Sequence, residues 1–335
     1  MAPTSILIPN QKVGLYVGKR PGSFIGFPTS TPISAYPNWQ TNDLEGSIFL
    51  NALANDVQAF NQDERNLVGD FSGSRKWAVG ALAPSGKIYC VPLNSTQILV
   101  IDPTDNSTEL VGNFSGTLKW LGGVLAPNGK IYCVPRNSTQ ILVIDPTDNS
   151  TELIGSFSGI ENWEGGVLAP NGKIYCVPNS STQILVIDPS DNSTELVGDF
   201  SGTLKWTGGV LAPNGKIYCV PRSSTQILVI DPSDNSTELI GSFSGSNKWR
   251  SAVLAPNGKI ICMPYNSTQI LVIDPSDNST ELVGDFSGSN KWAGGVLLPN
   301  AKIYCVPWSS TQILVIGEAG TQDTNKVLSR YLNKF

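Results

Sequence analysis

The chain contains no histidine. That removes the commonest general base and metal ligand at neutral pH, so imidazole-based acid–base catalysis and imidazole metal sites are excluded. Charge is also scarce: Asp, Glu, Lys and Arg make up 15% of the 335 residues, and the net charge is −5. An acidic balance without clustered Lys and Arg is not a nucleic-acid footprint, so no nucleic-acid partner is expected. No apolar run approaches the ~20 residues that cross a bilayer as a helix, and no membrane insertion is expected. The opening MAPTSILIPNQKVG lacks a basic segment followed by a long apolar core, so no secretory signal is expected either.

What is plentiful is turn-forming residues in a chain that is 40% apolar, with 33 Gly and 23 Pro. That combination points to turn-rich β structure with a sizeable core. Trp77, Trp120, Trp163, Trp206, Trp249 and Trp292 are each 43 apart, and so are Cys90, Cys133, Cys176, Cys219, Cys262 and Cys305. Two independent markers hold one spacing without an insertion, so the chain carries six equal units.

Each unit reads as four strands. In the second unit these are GGVLA (122–126), KIYCVP (130–135), QILVID (140–145) and TELIGSF (151–157). KIYCVP is β-branched and aromatic, as a pleated surface prefers. QILVID is a continuous apolar run of the kind covered on both faces. The turns PNG and PTDNS separate the strands, since Pro cannot donate to a ladder and Asp and Asn bond their own backbone.

Four antiparallel strands in a unit of this size make a propeller blade. The double glycines, such as Gly122 and Gly123, suit an innermost strand where backbones converge. The expected fold is therefore all-β, a six-bladed β-propeller over residues 66–316, with an N-terminal extended or anchoring segment (1–65) and a C-terminal tail (317–335). A solenoid of stacked hairpins is the alternative. The last unit lacks its TELVGDF segment and the first is preceded by an extra NLVGDFSG (66–73). Pairing Leu67–Phe71 with the Gln312–Ile316 strand would close the ring and remove free edges.

The six Cys occupy one position on neighbouring sheets about 10 Å apart, too far for disulfides. They are expected to be free, buried and inert, which suits a reducing compartment. NST recurs at Asn94, Asn106, Asn137, Asn149, Asn192, Asn235, Asn266 and Asn278. Each matches a glycosylation acceptor, but turn chemistry is the plainer reading. DPTDNSTE, with Asp102, Asp105 and Glu109, faintly resembles a calcium loop but lacks its central Gly and spacing. No metal site, cofactor or catalytic constellation is expected, so the chain reads as non-enzymatic.

Chain direction alternates through a blade, which sorts the loops onto two ends. PNG and DPSDNST share one end and hardly change. The loop after the second strand and the loop joining blades share the other, and there the copies diverge. After the second Pro stand Leu93, Arg136, Asn179, Arg222, Tyr265 and Trp308; after the repeated Trp come Ala78, Leu121, Glu164, Thr207, Arg250 and Ala293. These varied tips are either drifting or a recognition face, and Arg, Tyr and Trp are residue types enriched at binding hot spots. The repeated Trp either wedges between blades or stacks on sugars or bases.

With these residues in view, the units resemble the APNGKIY…NSTQILVIDP propeller repeats of aquatic microbes, algae and their viruses. The ending LSRYLNKF resembles the C-termini of virion proteins of cyanobacterial phages. WD-repeat and kelch propellers are poorer matches. The resemblance implies a virion structural protein of a phage tail or baseplate, made in the host cytoplasm. Residues 1–65, and the tail, would dock on other virion proteins, and the varied face would contact host-surface glycan. A cellular lectin-like or scaffold propeller is the alternative.

Overall fold

In a computed structural model the described residues are 67–317, together with two short strands, β1 (Gly14–Tyr16) and β2 (Phe24–Gly26), that pair antiparallel. The docking roles expected of residues 1–65 and of the tail otherwise fall outside the described residues.

The repeat folds as a series of antiparallel sheets. Blade 1 is β3–β6 (Trp77–Leu82, Ile88–Pro92, Ile98–Asp102, Ser107–Val111) and blade 2 is β7–β10 (Trp120–Leu125, Ile131–Pro135, Ile141–Ile144, Thr151–Ile154). Blade 3 is β11–β14 (Trp163–Leu168, Ile174–Pro178, Ile184–Asp188, Ser193–Val197) and blade 4 is β15–β18 (Trp206–Leu211, Ile217–Pro221, Ile227–Asp231, Ser236–Ile240). Blade 5 is β19–β22 (Trp249–Leu254, Ile260–Pro264, Ile270–Asp274, Ser279–Val283), and blade 6 is β23–β25 (Trp292–Leu297, Ile303–Pro307, Leu314–Ile316). Strands pair in sequence order within each sheet, and the first strands of successive blades pack side by side as the inner strands of a propeller. The six-bladed, all-β reading stands.

The inner strand explains the glycines. Each begins at its Trp, slips register across a bulge, and resumes pairing at or just before the second small residue, as between Trp163 and Gly166. Gly165 has φ +84°, and a Cβ there would lie 3.1 Å from the Cα of Gly208. Only a residue without a side chain lets the backbones approach this closely. The apolar third strands of blades 2–4, such as Ile141–Ile144, are buried, whereas the fourth strands are mostly exposed at the outside.

Five seams between blades hold the core. At the first, Tyr89, Val91, Ile98, Val100 and Phe114 of blade 1 meet Trp120, Ile131, Cys133, Leu142 and Ile144 of blade 2. The same pairing of faces recurs in the next three seams and, with Ile261 and Met263 in place of Tyr and Val, in the fifth. At ~25 cal/mol per Å² of apolar surface removed from water, these seams are the main stabilising element of the blade array.

The expected closing strand is not formed. The sixth sheet has three strands, β23-β24-β25, residues 67–71 belong to no strand, and Leu67 is fully exposed. Register alone allowed Leu67–Phe71 to pair with the last strand. Composition is not the reason, since the identical LVGDF at 196–200 does pair through Leu196 and Val197 in blade 3. There a short turn delivers the segment to its partner, whereas 67–71 would have to reach the last strand from the far end of the array, at a larger loop-closure cost.

The invariant end of the blades is a hydrogen-bonded web. Asn149 (φ +62°) takes the left-handed conformation that Asn tolerates, and its Oδ1 accepts from the Tyr89 hydroxyl of the preceding blade at 2.6 Å. Its Nδ2 donates to Glu109 at 3.0 Å. Asn192, Asn235 and Asn278 repeat the Tyr contact. Asp102 Oδ1 accepts from both the backbone and the hydroxyl of Thr104, and Asp105 Oδ1 accepts from Ser107 N. The NST and DPTDNST segments are turns whose side chains are already in use, as expected.

Candidate functional site

The repeated Trp is a wedge. Trp120, Trp163, Trp206 and Trp249 are each 2% exposed. Trp120 stands edge-on to Phe114 of the preceding blade, with ring centroids 5.3 Å apart, and its Nε1 donates to Gln140 O at 2.8 Å. Trp77 and Trp292 make the same pair of contacts in blades 1 and 6. The indole faces are taken up by protein, so stacking on sugars or bases by Trp120, Trp163, Trp206, Trp249 and Trp292 is ruled out.

A lysine that the sequence reading passed over secures the same loop. Lys119 is buried; its Nζ donates to Ser95 O, Gly116 O and Leu93 O at 2.7, 3.1 and 3.3 Å and lies 5.8 Å from the Trp120 ring centroid. Lys205, Lys248 and Lys291 occupy the same place, and Asn162 replaces them in blade 3. Burial lowers the affinity of these amines for a proton, bringing Lys205 and Lys248 down to about 8. The signal was present as the Lys that precedes five of the six repeated Trp.

The varied tips do share one end of the blades with the blade-joining loops. The tip of one blade bonds the loop of the next, as in Asn162 N to Arg136 O (2.9 Å) and Lys248 N to Arg222 O (2.8 Å). They do not look outward as a set of exposed tips. Leu93 and Asn179 are buried, Arg136, Arg222 and Tyr265 are half-buried, and of the six only Trp308 is exposed, at 61%. The reason is geometric: the residue after the second strand turns into the seam with the following blade.

Inside these seams the variation is matched across blades. Arg136 Nη2 meets Glu161 of the next blade at 2.6 Å. Glu164, itself buried, takes Asn179 Nδ2 at 3.2 Å and Thr207 Oγ1 at 3.1 Å, and lies 3.6 Å from Arg222 Nη1. Arg222 Nε donates to Asn247 at 2.8 Å. Blades 2–4 therefore spend their varied residues on internal polar pairing.

Blades 5 and 6 do something different. The Arg250 guanidinium carbon lies 5.2 Å from the Tyr265 ring centroid and 4.9 Å from that of Trp308. Its Nη1 reaches the Tyr265 hydroxyl at 3.3 Å. Arg250 joins none of the ion pairs among the described residues. A planar cation held against two aromatic rings is rigid, keeps donors free at its edge, and sits beside an exposed indole.

No family model matches the chain, and no curated protein matches its sequence. Solved structures do resemble it. A catalytically inactive virginiamycin B lyase from Staphylococcus aureus, bound to quinupristin, aligns at TM-score 0.63 and 10% identity over 74% of this chain and 84% of its own. A streptogramin B lyase aligns at 0.59 and 12% identity, over 78% and 89%. The extracellular domain of a putative one-component system from B. thetaiotaomicron aligns at 0.55 and 13%, over 69% of this chain and 32% of that one. The likeness is one of fold.

Proposed function

We propose that this chain is a non-catalytic recognition propeller whose varied end binds through Arg250, Tyr265 and Trp308. The observation that carries the reading is Arg250, which joins no ion pair among the described residues and lies against two aromatic rings, because preorganised Arg and aromatic side chains are what binding hot spots use. An exposed indole beside a guanidinium edge suits a glycan: the sugar's apolar face lies on the ring and its hydroxyl or carboxylate oxygens take the free N–H donors. In the setting that the sequence resemblance implies, a phage tail or baseplate, that glycan belongs to the host surface. The same face would serve a cellular lectin-like propeller equally well.

Catalysis is the weaker reading on chemical grounds. The lyase above was inactivated by replacing a histidine with alanine, and this chain has no histidine. The thiols of Cys133, Cys176, Cys219 and Cys262 are fully buried, which holds them protonated and unreactive. The Asp carboxylates of the turns are occupied locally: Asp188 accepts from the hydroxyl and then the backbone N–H of Ser190, with Lys173 beside it, which holds it down to about 2.

The proposal is tested with Arg250→Ala, Arg250→Lys and Tyr265→Ala in assays of binding to host cells and to immobilised surface polysaccharide. Arg250→Ala should lower affinity by at least about tenfold, one hot-spot contact's worth, with an unchanged melting temperature. Arg250→Lys should recover little of it, since an ammonium does not reproduce the planar fork. Unaltered binding by all three would reduce this end to a packing device.

A further inference from the structure

Five seams in this molecule have the same two faces, and among the described residues a sixth pair of those faces is left without a partner. Blade 6 carries Tyr304, Val306, Ile313 and Val315 where blade 2 carries Tyr132, Val134, Ile141 and Val143. In blade 2 the last three are at most 2% exposed, but in blade 6 Val306, Ile313 and Val315 are 51%, 62% and 46% exposed. Blade 1 carries the opposite face, with Trp77, Leu82, Ile88 and Cys90 at the positions of Trp120, Leu125, Ile131 and Cys133. Those four in blade 2 pack into the first seam, whereas in blade 1 Leu82 is 63% exposed and Trp77, Ile88 and Cys90 are all less buried than their counterparts.

We infer that the free flank of blade 6 is an interface for the free flank of blade 1 on a second copy of this chain, so that molecules join head to tail. What covers such a flank is shown five times over. A Tyr/Val/Ile/Val face (Ile/Met/Ile/Val in the fifth seam) takes a Trp/Leu/Ile/Cys face, with Trp, Phe and a Lys (Asn162 in blade 3) locking the loops above it. Each molecule ends in one half of that seam at blade 6 and the other half at blade 1. An apolar surface of this kind, rimmed by polar loops, marks an interaction site on a soluble protein. Because the two halves differ, the contact is heterologous. It grows into a chain of copies unless the rotation per copy happens to close.

Sedimentation of the full chain across a range of concentrations tests this. Wild-type protein should associate beyond a dimer as concentration rises. Val306→Glu, which blocks the blade 6 flank, and Leu82→Glu, which blocks the blade 1 flank, should each be monomeric. Both substitutions fall on exposed side chains, so circular dichroism should show both variants folded. Mixed in equal amounts they should form a dimer and nothing larger, because one compatible pair of flanks remains between them. That complementation distinguishes a specific seam from general stickiness. A wild type that stays monomeric would overturn the inference in either of two ways. Slow hydrogen exchange in β24 and β25 would mean that the chain covers its own flank, and fast exchange would mean that nothing does. A mixture that stays monomeric, or association untouched by both substitutions, would overturn it as well.

Discussion

Glu164 shows how single residues are held at the varied end. Its carboxylate is buried at 8% exposure and is stabilised by Asn179, Thr207 and Arg222 together. Breaking such a group apart costs more than the pair contributes, because the surviving charge is left in a low dielectric without compensation. Arg222→Ala should therefore destabilise the fold by about 3 kcal/mol. Adding Glu164→Ala should recover part of that loss, giving a coupling energy of about 1 kcal/mol or more in a double-mutant cycle followed by urea unfolding. The sequence marked these positions as variable but could not pair them. Thr207 lies 43 residues from Glu164 in the chain, and only the apposition of blades 3 and 4 brings them together. The same holds for Arg250 and Trp308, which came into view as separate departures from the repeat and became a site only once blades 5 and 6 were set side by side.

Among the elements, the inner strands carry the most demanding constraint. Gly165 combines a left-handed φ of +84° with a prospective Cβ only 3.1 Å from the Gly208 backbone, which cannot swing away as a side chain would. Gly172, in the PNG turn of the same blade, has φ +81° but open space around it. Gly172→Ala should therefore cost about 1 kcal/mol, the backbone strain alone. Gly165→Ala should cost about 2–3 kcal/mol more, because it also forces two blades apart. Urea midpoints of the two variants, with their m-values, check this difference. The strands themselves were legible, since alternation, apolar runs and turn residues are local signals. The bulge between Trp163 and Gly166 was not, because its cause is the crowding of neighbouring inner strands rather than anything within one strand.

For the whole molecule, the array of thiols ties stability to pH. Burial pushes Cys133, Cys176, Cys219 and Cys262 well above the ordinary thiol range and Cys305 up to about 12. Unfolding exposes them, so above pH ~9 the unfolded chain sheds protons that the folded chain keeps, and stability falls as pH rises. Each fully buried thiol contributes up to about 1.4 kcal/mol per pH unit in that window. Lys205 and Lys248 act in the opposite sense: brought down to about 8 when folded, they favour the folded state more as pH rises toward the ordinary lysine value. Lys119 and Lys291 are lowered by burial in the same way, so the amines offset much of what the thiols do. Replacing the four buried Cys with Ala or Val should therefore remove a loss of about 1 kcal/mol per thiol between pH 8.5 and pH 10, read as the difference between variant and wild type in denaturant unfolding under reducing conditions. By itself the sequence determined the number of units, the four-strand plan, the inner position of the glycines and the sorting of loops onto two ends. All of these follow from spacings repeated within one blade. Tertiary structure alone decided which varied residues meet and whether the last blade finds the first. Cross-blade pairing depends on how two sheets are set against each other, and closure depends on the rotation summed over every seam, an angle that no single residue specifies.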